Sequence, residues 1–227
     1  MARKLALILA LLSALVPAIA QTHYKAHVSV GAHAGADLSR VSFMPTIKQR
    51  WLPGATMGVQ LRYQEERIVG ILAELNLSQR GWSELYEQSP LRYERTITYV
   101  ALPVMTHINF GGPRVRCIFN LGPEFSYMLG ESTSSNFDYH NPTKAEGWPD
   151  EIRMTEQMVT PVKNKFDYGI CAGMGCEFYI QPRHSIYAEC RFYYGLGNIF
   201  PASKADTFSA SRCMTISATL GYNFRIK

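Results

Sequence analysis

The sequence predicts an all-β protein, an eight-stranded antiparallel up-and-down transmembrane β-barrel with short periplasmic turns and long extracellular loops. Three observations predict it. From Phe166 to Ile180 every second residue is apolar, while the residues between are Asp, Gly, Cys, Gly, Gly, Glu and Tyr. Successive strand side chains point to opposite faces, so this segment has one greasy face and one small or charged face. The pattern recurs along the chain behind an export signal, and the connections between its repeats alternate short and long, as in outer-membrane barrels.

The signal occupies residues 1–20. Arg3 and Lys4 form its positive start, Leu5 to Val16 its apolar run, and Ala18-Ile19-Ala20 a small-x-small site that places cleavage before Gln21. The apolar run is shorter than the ~20 residues a membrane helix needs. The remaining 207 residues, 21–227, are read as one barrel domain, without a fixed-period repeat, low-complexity tract or dividing linker. No segment of it approaches 18 continuous apolar residues, which argues against a helical membrane protein. Losing Arg3 and Lys4 lowers the formal charge from +5 to +3, too mild a basicity to suggest nucleic acid as a partner.

The first strand, about His27 to Ala34, turns Val28, Val30, Ala32 and Ala34 outward. The second shows Ala55 to Tyr63 on its outer parity and Thr56 to Gln64 on its inner; the third shows Val69 to Leu77 outward and Gly70 to Ser78 inward. The fourth places Val100, Leu102, Val104, Thr106, Ile108 and Phe110 outward. The fifth sends Val115 to Leu129 to lipid and Arg114 to Met128 inward, and the sixth is the segment from Phe166 to Ile180. The seventh, Ser185 to Leu196, and the last, Cys213 to Ile226, follow the same rule. Across all of these except the first and fourth, the outward sets hold 39 residues and no charge, whereas the inward sets hold 38 residues and ten charges. A charge on the lipid face at mid-membrane costs ~2–4 kcal/mol, which accounts for the contrast.

Short connections lie at Glu65-Glu66-Arg67, Gly111-Gly112-Pro113 and Gln181-Pro182-Arg183. Long ones run about 35–53, 80–93, 131–163 and 197–211, so both termini face the periplasm. A 16-residue strand climbs roughly 37 Å at ~3.3 Å per residue and ~45° tilt, against an apolar band of ~25 Å. The fifth and sixth strands are therefore expected to project beyond the membrane.

Eight strands enclose only enough space for their own side chains. The inward charges are Arg62, Glu74, Arg114, Arg116, Glu124, Asp167, Glu177, Glu189, Arg191 and Arg225, five of each sign. With Arg114 set aside as solvated at a turn, the other nine read as a paired ladder inside the barrel, since an unpaired buried charge is costly. Inward glycines, Gly173 and Gly221 among them, make room for neighbouring Arg and Tyr side chains.

The segments Glu74 to Trp82, Asn120 to Glu124, Asn164 to Gly169 and Tyr193 to Asn198, with the ending Gly221 to Lys227, resemble the PorT-type outer-membrane β-barrel proteins of Bacteroidetes-like bacteria. The likeness spans the mature chain. It implies an outer-membrane barrel; the namesake's association with a protein-secretion machine supplies one functional alternative, an accessory component of secretion.

Enzymatic and metal constellations are poor. His33, His107, His140 and His184 are scattered, with no metal-binding or triad spacing, and His140 beside Asp138 reads as solvated loop. Gly169 to Gly175 lies inside a strand with no helix after it, so it is packing and not a dinucleotide loop. No cofactor and no catalytic residue is expected. Of five cysteines, Cys117, Cys176 and Cys190 face lipid and Cys171 and Cys213 face inward. Cys176 and Cys190 flank one turn and would lie opposite each other across a five-residue loop, which leaves a disulfide open beside the reading as small hydrophobes. The expected partners are outer-membrane lipid, the assembly machinery that inserts barrels, and an envelope protein met through loop 131–163. That loop carries six acids against three bases, with Tyr139 and Trp148. A structural or interaction role is thus weighed against a narrow, porin-like pore for ions or small solutes, and against a soluble ligand-binding barrel of reversed polarity.

Overall fold

A computed structural model describes residues 25–226 apart from 88, 150, 151, 153 and 203–205. The export signal and its cleavage site lie outside the described residues. Among the described residues there are nine antiparallel strands: β1 (His27–Met44), β2 (Gln49–Arg50), β3 (Leu52–Gln64), β4 (Val69–Glu84), β5 (Tyr93–Gly111), β6 (Val115–Ser135), β7 (Phe166–Gln181), β8 (His184–Gly195) and β9 (Ala210–Arg225). Eight of them close a ring in the order β1-β3-β4-β5-β6-β7-β8-β9, and β1 pairs with β9 from Ser29↔Arg225 to Met44↔Ala210. The two-residue β2 is an addition to the upper end of β4. Closure leaves no free edge, the condition under which strands can cross a bilayer. No helix among the described residues is long and apolar enough to cross a membrane.

The alternation sorts side chains as the inside–outside rule requires. On β9, Ile216, Leu220 and Tyr222 are exposed outward while Cys213, Thr215 and Asn223 are buried; on β7, Ile170 and Met174 face out while Asp167, Cys171 and Glu177 face in. Above the apolar band the sorting inverts. Along β1 the inward residues become Val41 and Phe43 and the outward ones Arg40 and Ser42; along β5 the inward set becomes Tyr93, Ile97 and Tyr99, against Thr96 and Thr98 outside. The wall there stands in water and encloses an apolar core. Trp51 lies near this boundary with the Arg40 guanidinium 5.3 Å from its ring centre, consistent with an interfacial aromatic girdle.

This inversion explains where the strands outrun their expected bounds. β1 continues ten residues past Ala34, β4 runs through Glu84, β5 begins at Tyr93 and β6 reaches Ser135. The pair that stands highest is β5–β6, joined up to Tyr93↔Ser135, whereas β7 begins only opposite Tyr127. The fifth and sixth strands of the ring are at least as long as expected, at 21 and 16 residues, but the fifth rises alongside the fourth, beyond the start of the sixth. A bulge between Thr98 and Tyr99 pairs Ile97 with Glu131, so that the Glu131 carboxylate reaches Arg95, an inward residue.

Prolines interrupt the ladder on both sides of β5. Pro103 has no N–H to donate, and the rungs opposite Glu74 and Leu75 are absent although the register on either side is unchanged. Pro123 does the same on β6, where the rungs to Val104 and Met105 are absent. The cysteine expectation also changes. Across the β7–β8 turn Cys176 faces Ala188 and Cys190 faces Met174, because β7 continues to Gln181 and β8 starts at His184, shifting the register by two from the pairing a five-residue loop would set. Cys176 is instead opposite Cys117 on β6, and all five cysteines are free thiols.

Leu220 is 71% exposed midway along the outward face of β9. Leu220→Arg is expected to lower the unfolding free energy in lipid by ~2–4 kcal/mol, measured by urea titration in vesicles, whereas Thr219→Ser on the inner face should be nearly neutral.

Candidate functional site

The lumen is filled by a polar network braced across its width. Near the periplasmic end Arg62 Nη1 on β3 donates to both oxygens of Glu177 on β7, at 2.9 and 2.8 Å. Four places separate these strands around the ring of eight, so the pair spans the full diameter. Ser185 Oγ, Asn223 Nδ2 and Tyr179 OH also donate to Glu177, at 2.6, 3.1 and 3.3 Å. A second strut crosses higher up. Arg191 on β8 grips Glu74 on the opposite β4 with Nη1 and Nη2 at 2.6 and 2.9 Å, and also donates to Glu189. Both partners of each strut are almost wholly withdrawn from water, Arg191 being the most accessible at 11%. Gln60 links the tiers, donating to Asn223 and accepting from Tyr187 OH. A Cβ at Gly221 would collide with the Tyr187 ring and one at Gly173 with the Glu189 carboxylate, so both bulky groups depend on a missing side chain.

A third tier is built on Arg80, which donates to Glu124 at 2.5 Å and to Ser78 Oγ at 3.0 Å, with its guanidinium 4.3 Å from the Tyr193 ring centre. Ser78 Oγ in turn donates to Asp37, and Tyr193 OH donates to Asp167 at 2.9 Å. Buried carboxylates therefore outnumber buried guanidiniums, and neutral hydroxyls and amides serve the surplus acids.

Above these tiers the mouth is shut by apolar packing. Phe43, Trp82, Phe200 and Phe208 form a cluster with ring centres 5.2–6.0 Å apart, Trp82 edge-on to Phe43 and Phe200, and Met158, Val162 and Ile199 fill in around them. Phe200 and Phe208 come from the β8–β9 loop; Met158 belongs to a single helical turn, Glu156–Val159, in the β6–β7 loop. Arg95 ties that turn down. Its Nε and Nη2 donate to Glu131, its Nη1 to the carbonyls of Gln157 and Thr160, and its guanidinium lies 5.5 Å from the Trp82 ring centre. Beside the turn, Glu84 accepts from Gln157 Nε2 at 3.0 Å and from Tyr86 OH at 2.9 Å. Burial pushes the Glu84 carboxyl up to about 7, against the pull of those two hydrogen bonds.

Of the nine residues assigned to the ladder from sequence, the structure brings Arg62 to Glu177 and Arg191 to Glu74 and Glu189. Glu124 meets Arg80, and Asp167 meets Tyr193. Arg116 and Arg225 have no carboxylate within ion-pair distance among the described residues; their guanidiniums flank the Tyr179 ring at 5.1 and 6.0 Å near the periplasmic opening. Sequence reasoning missed Asp37, Arg80, Glu84, Arg95 and Gln157. Arg80 and Glu84 continue the inward parity of Glu74, Asn76 and Ser78, a signal lost because Gln79 and Ser83 between them are polar. No cluster of three or more metal-ligating side chains occurs among the described residues.

Residues 19–201, most of the chain, match the outer membrane protein beta-barrel domain family. The chain belongs to this family. It is an outer-membrane β-barrel, and its fold is similar to that of OprG from Pseudomonas aeruginosa, with a TM-score of 0.52 at 9% identity over 88% of this chain and 95% of that one. Neisserial surface protein A aligns at TM-score 0.45 and 13% identity over 88% and 99%, and the outer membrane enzyme PagL at 0.40 and 11% over 86% and 98%. Among curated proteins none matches in sequence.

Two outcomes follow for this barrel. Glu74→Ala takes from Arg191 its bidentate partner across the lumen and leaves it Glu189 alone, so the expected loss in urea unfolding is about 3 kcal/mol, the lower end for a broken buried pair, while Arg116→Ala costs far less; a Glu74–Arg191 double-mutant cycle reads the coupling. Glu84 titrates at 4.5 when unfolded and near 7 when folded, so its neutral form is the one the fold favours. The stability of the mouth is then greatest below pH 4.5, falls as the pH rises to about 7, and levels off. Hydrogen exchange of segments 84–95 and 155–160, corrected for intrinsic rates, should speed up over that window in the wild type and stay flat in Glu84→Gln.

Proposed function

We propose that this barrel is a non-conducting component of the cell envelope that acts through the ordered surface its extracellular loops build. The single observation that carries the reading is the pair of cross-lumen struts, Arg62–Glu177 and Arg191–Glu74, beneath the Phe43–Trp82–Phe200–Phe208 cluster. A solute moving along the axis meets two ionic braces and then an apolar stopper. The alternation of short and long connections supports the stoppered end as the extracellular one.

The loop between β6 and β7 supports an interaction role. Its Phe137 and Trp148 pack with Tyr86 at 5.6–6.0 Å, which holds Asp138, His140, Lys144 and Glu146 outward on a fixed frame. The resemblance of Glu74 to Trp82 and of the closing strand to PorT-type proteins favours a partner within the envelope, with an accessory part in protein secretion as its sharpest form. On this reading the protein carries out no chemistry. Its lipid contacts and its insertion by the barrel-assembly machinery are those of any barrel with this surface.

Planar-bilayer recording tests the central statement. Purified protein should give no steady current, whereas discrete, reproducible conductance steps from the wild type would replace this reading with a pore. Glu74→Ala, by removing a strut, should at most raise flickering current.

A further inference from the structure

At the extracellular mouth a cavity of about 620 Å³ opens between the β1–β3 and β4–β5 connections and the β6–β7 loop. Its wall includes Ile47, Trp148, Ile152 and Met154, and Glu84 and Gln157 stand in it. The volume suits a small organic molecule. Its charged lining among the described residues is Glu84, Glu87 and Lys48. Glu84 is an acid with two neutral donors and no basic side chain within ion-pair distance among the described residues; Lys48, at the rim, is engaged with Glu87 at 3.2 Å. Gln157, with no solvent exposure, directs Nε2 to Glu84 and to the carbonyl of Met154 at 3.1 Å, which fixes the orientation of its amide. Its Oε1 is thereby left as a buried acceptor with no hydrogen-bond partner. Trp148 has its indole N–H engaged with the carbonyl of Ile152 at 3.3 Å, so its contribution to the wall is its ring.

A buried carboxylate, an orphaned amide oxygen and an indole ring around one cavity share a complement: a group that carries positive charge, donates several hydrogen bonds and has an apolar body. We propose that this cavity is a binding site for a small organic amine, whose ammonium donates to Glu84 and to Gln157 Oε1 while its apolar part lies against Trp148, Ile152 and Met154. An unsatisfied buried acceptor is destabilising until a donor reaches it, and an apolar body laid against an indole ring gains by leaving water. The site needs neither a protein partner nor conduction, and it stands apart from the proposed envelope role.

The test is isothermal titration of the folded full chain in detergent micelles at pH 8, where Glu84 is ionised and the amine still protonated, with phenethylamine, against empty micelles and against the neutral 2-phenylethanol. Saturable binding of the amine is expected, weakened about tenfold or more for the alcohol and for Glu84→Gln. Trp148→Ala, elsewhere in the lining, should also weaken the amine. Absence of saturable heat with the folded wild type overturns the proposal, as does equal affinity for amine and alcohol, which would mark a merely apolar cavity. Unchanged affinity in Glu84→Gln overturns it as well. Should that variant fail to fold, judged by the gel mobility of unheated protein, the amine–alcohol comparison on the wild type and Trp148→Ala decide.

Discussion

Within hydrocarbon a polar group has no solvent to fall back on, and most features of this molecule answer to that constraint. Backbone groups are satisfied by closing eight strands into a ring, and charged side chains are tolerated only by turning inward. Once inside a ring this narrow they must find one another. Arginine suits the task because its planar fork reaches across the lumen and still offers N–H groups to second partners, as Arg191 does with Glu74 and Glu189. The glycines opposite Tyr187 and Glu189 are part of the same solution, since the space for large inward groups is taken from neighbouring strands.

Where the wall leaves the bilayer the constraint lifts and the chain obeys the ordinary rule of a water-soluble core. The lower barrel keeps polar groups inside and apolar ones outside; the upper barrel does the reverse. A single strand such as β1 passes from one regime to the other between Leu38 and Arg40 without a break in its ladder. The two regimes need different fillings, ion pairs below and an aromatic cluster above. Only the upper one requires loops to fold back and supply Phe200, Phe208 and Met158.

That change of rule also marks how far the sequence could be read. The eight membrane strands, their faces and the inward position of Arg62, Glu74, Glu177 and Arg191 are legible because lipid demands strict alternation. Which acid meets which base is not, because pairing depends on ring order and height, which periodicity does not carry. Asp37, Arg80 and Arg95 escaped notice for plainer reasons: Asp37 lies beyond Ala34, the expected end of the first strand, and beside Gln79 and Thr96 the contrast between faces fades. The prolines in β5 and β6 stayed hidden too, since Pro103 and Pro123 keep the parity of their strands while removing rungs on either side of residues 102–105.

The two struts tie distant stretches of the chain, Arg62 and Glu74 from its first third and Glu177 and Arg191 from its last. Each end of the polypeptide holds counter-ions for the other. A fragment lacking either end would present orphaned charge to lipid as well as an open seam at β1 or β9. The counter-ions of the N-terminal strands thus arrive only with the C-terminal ones, which ties completion of the barrel to the end of the chain.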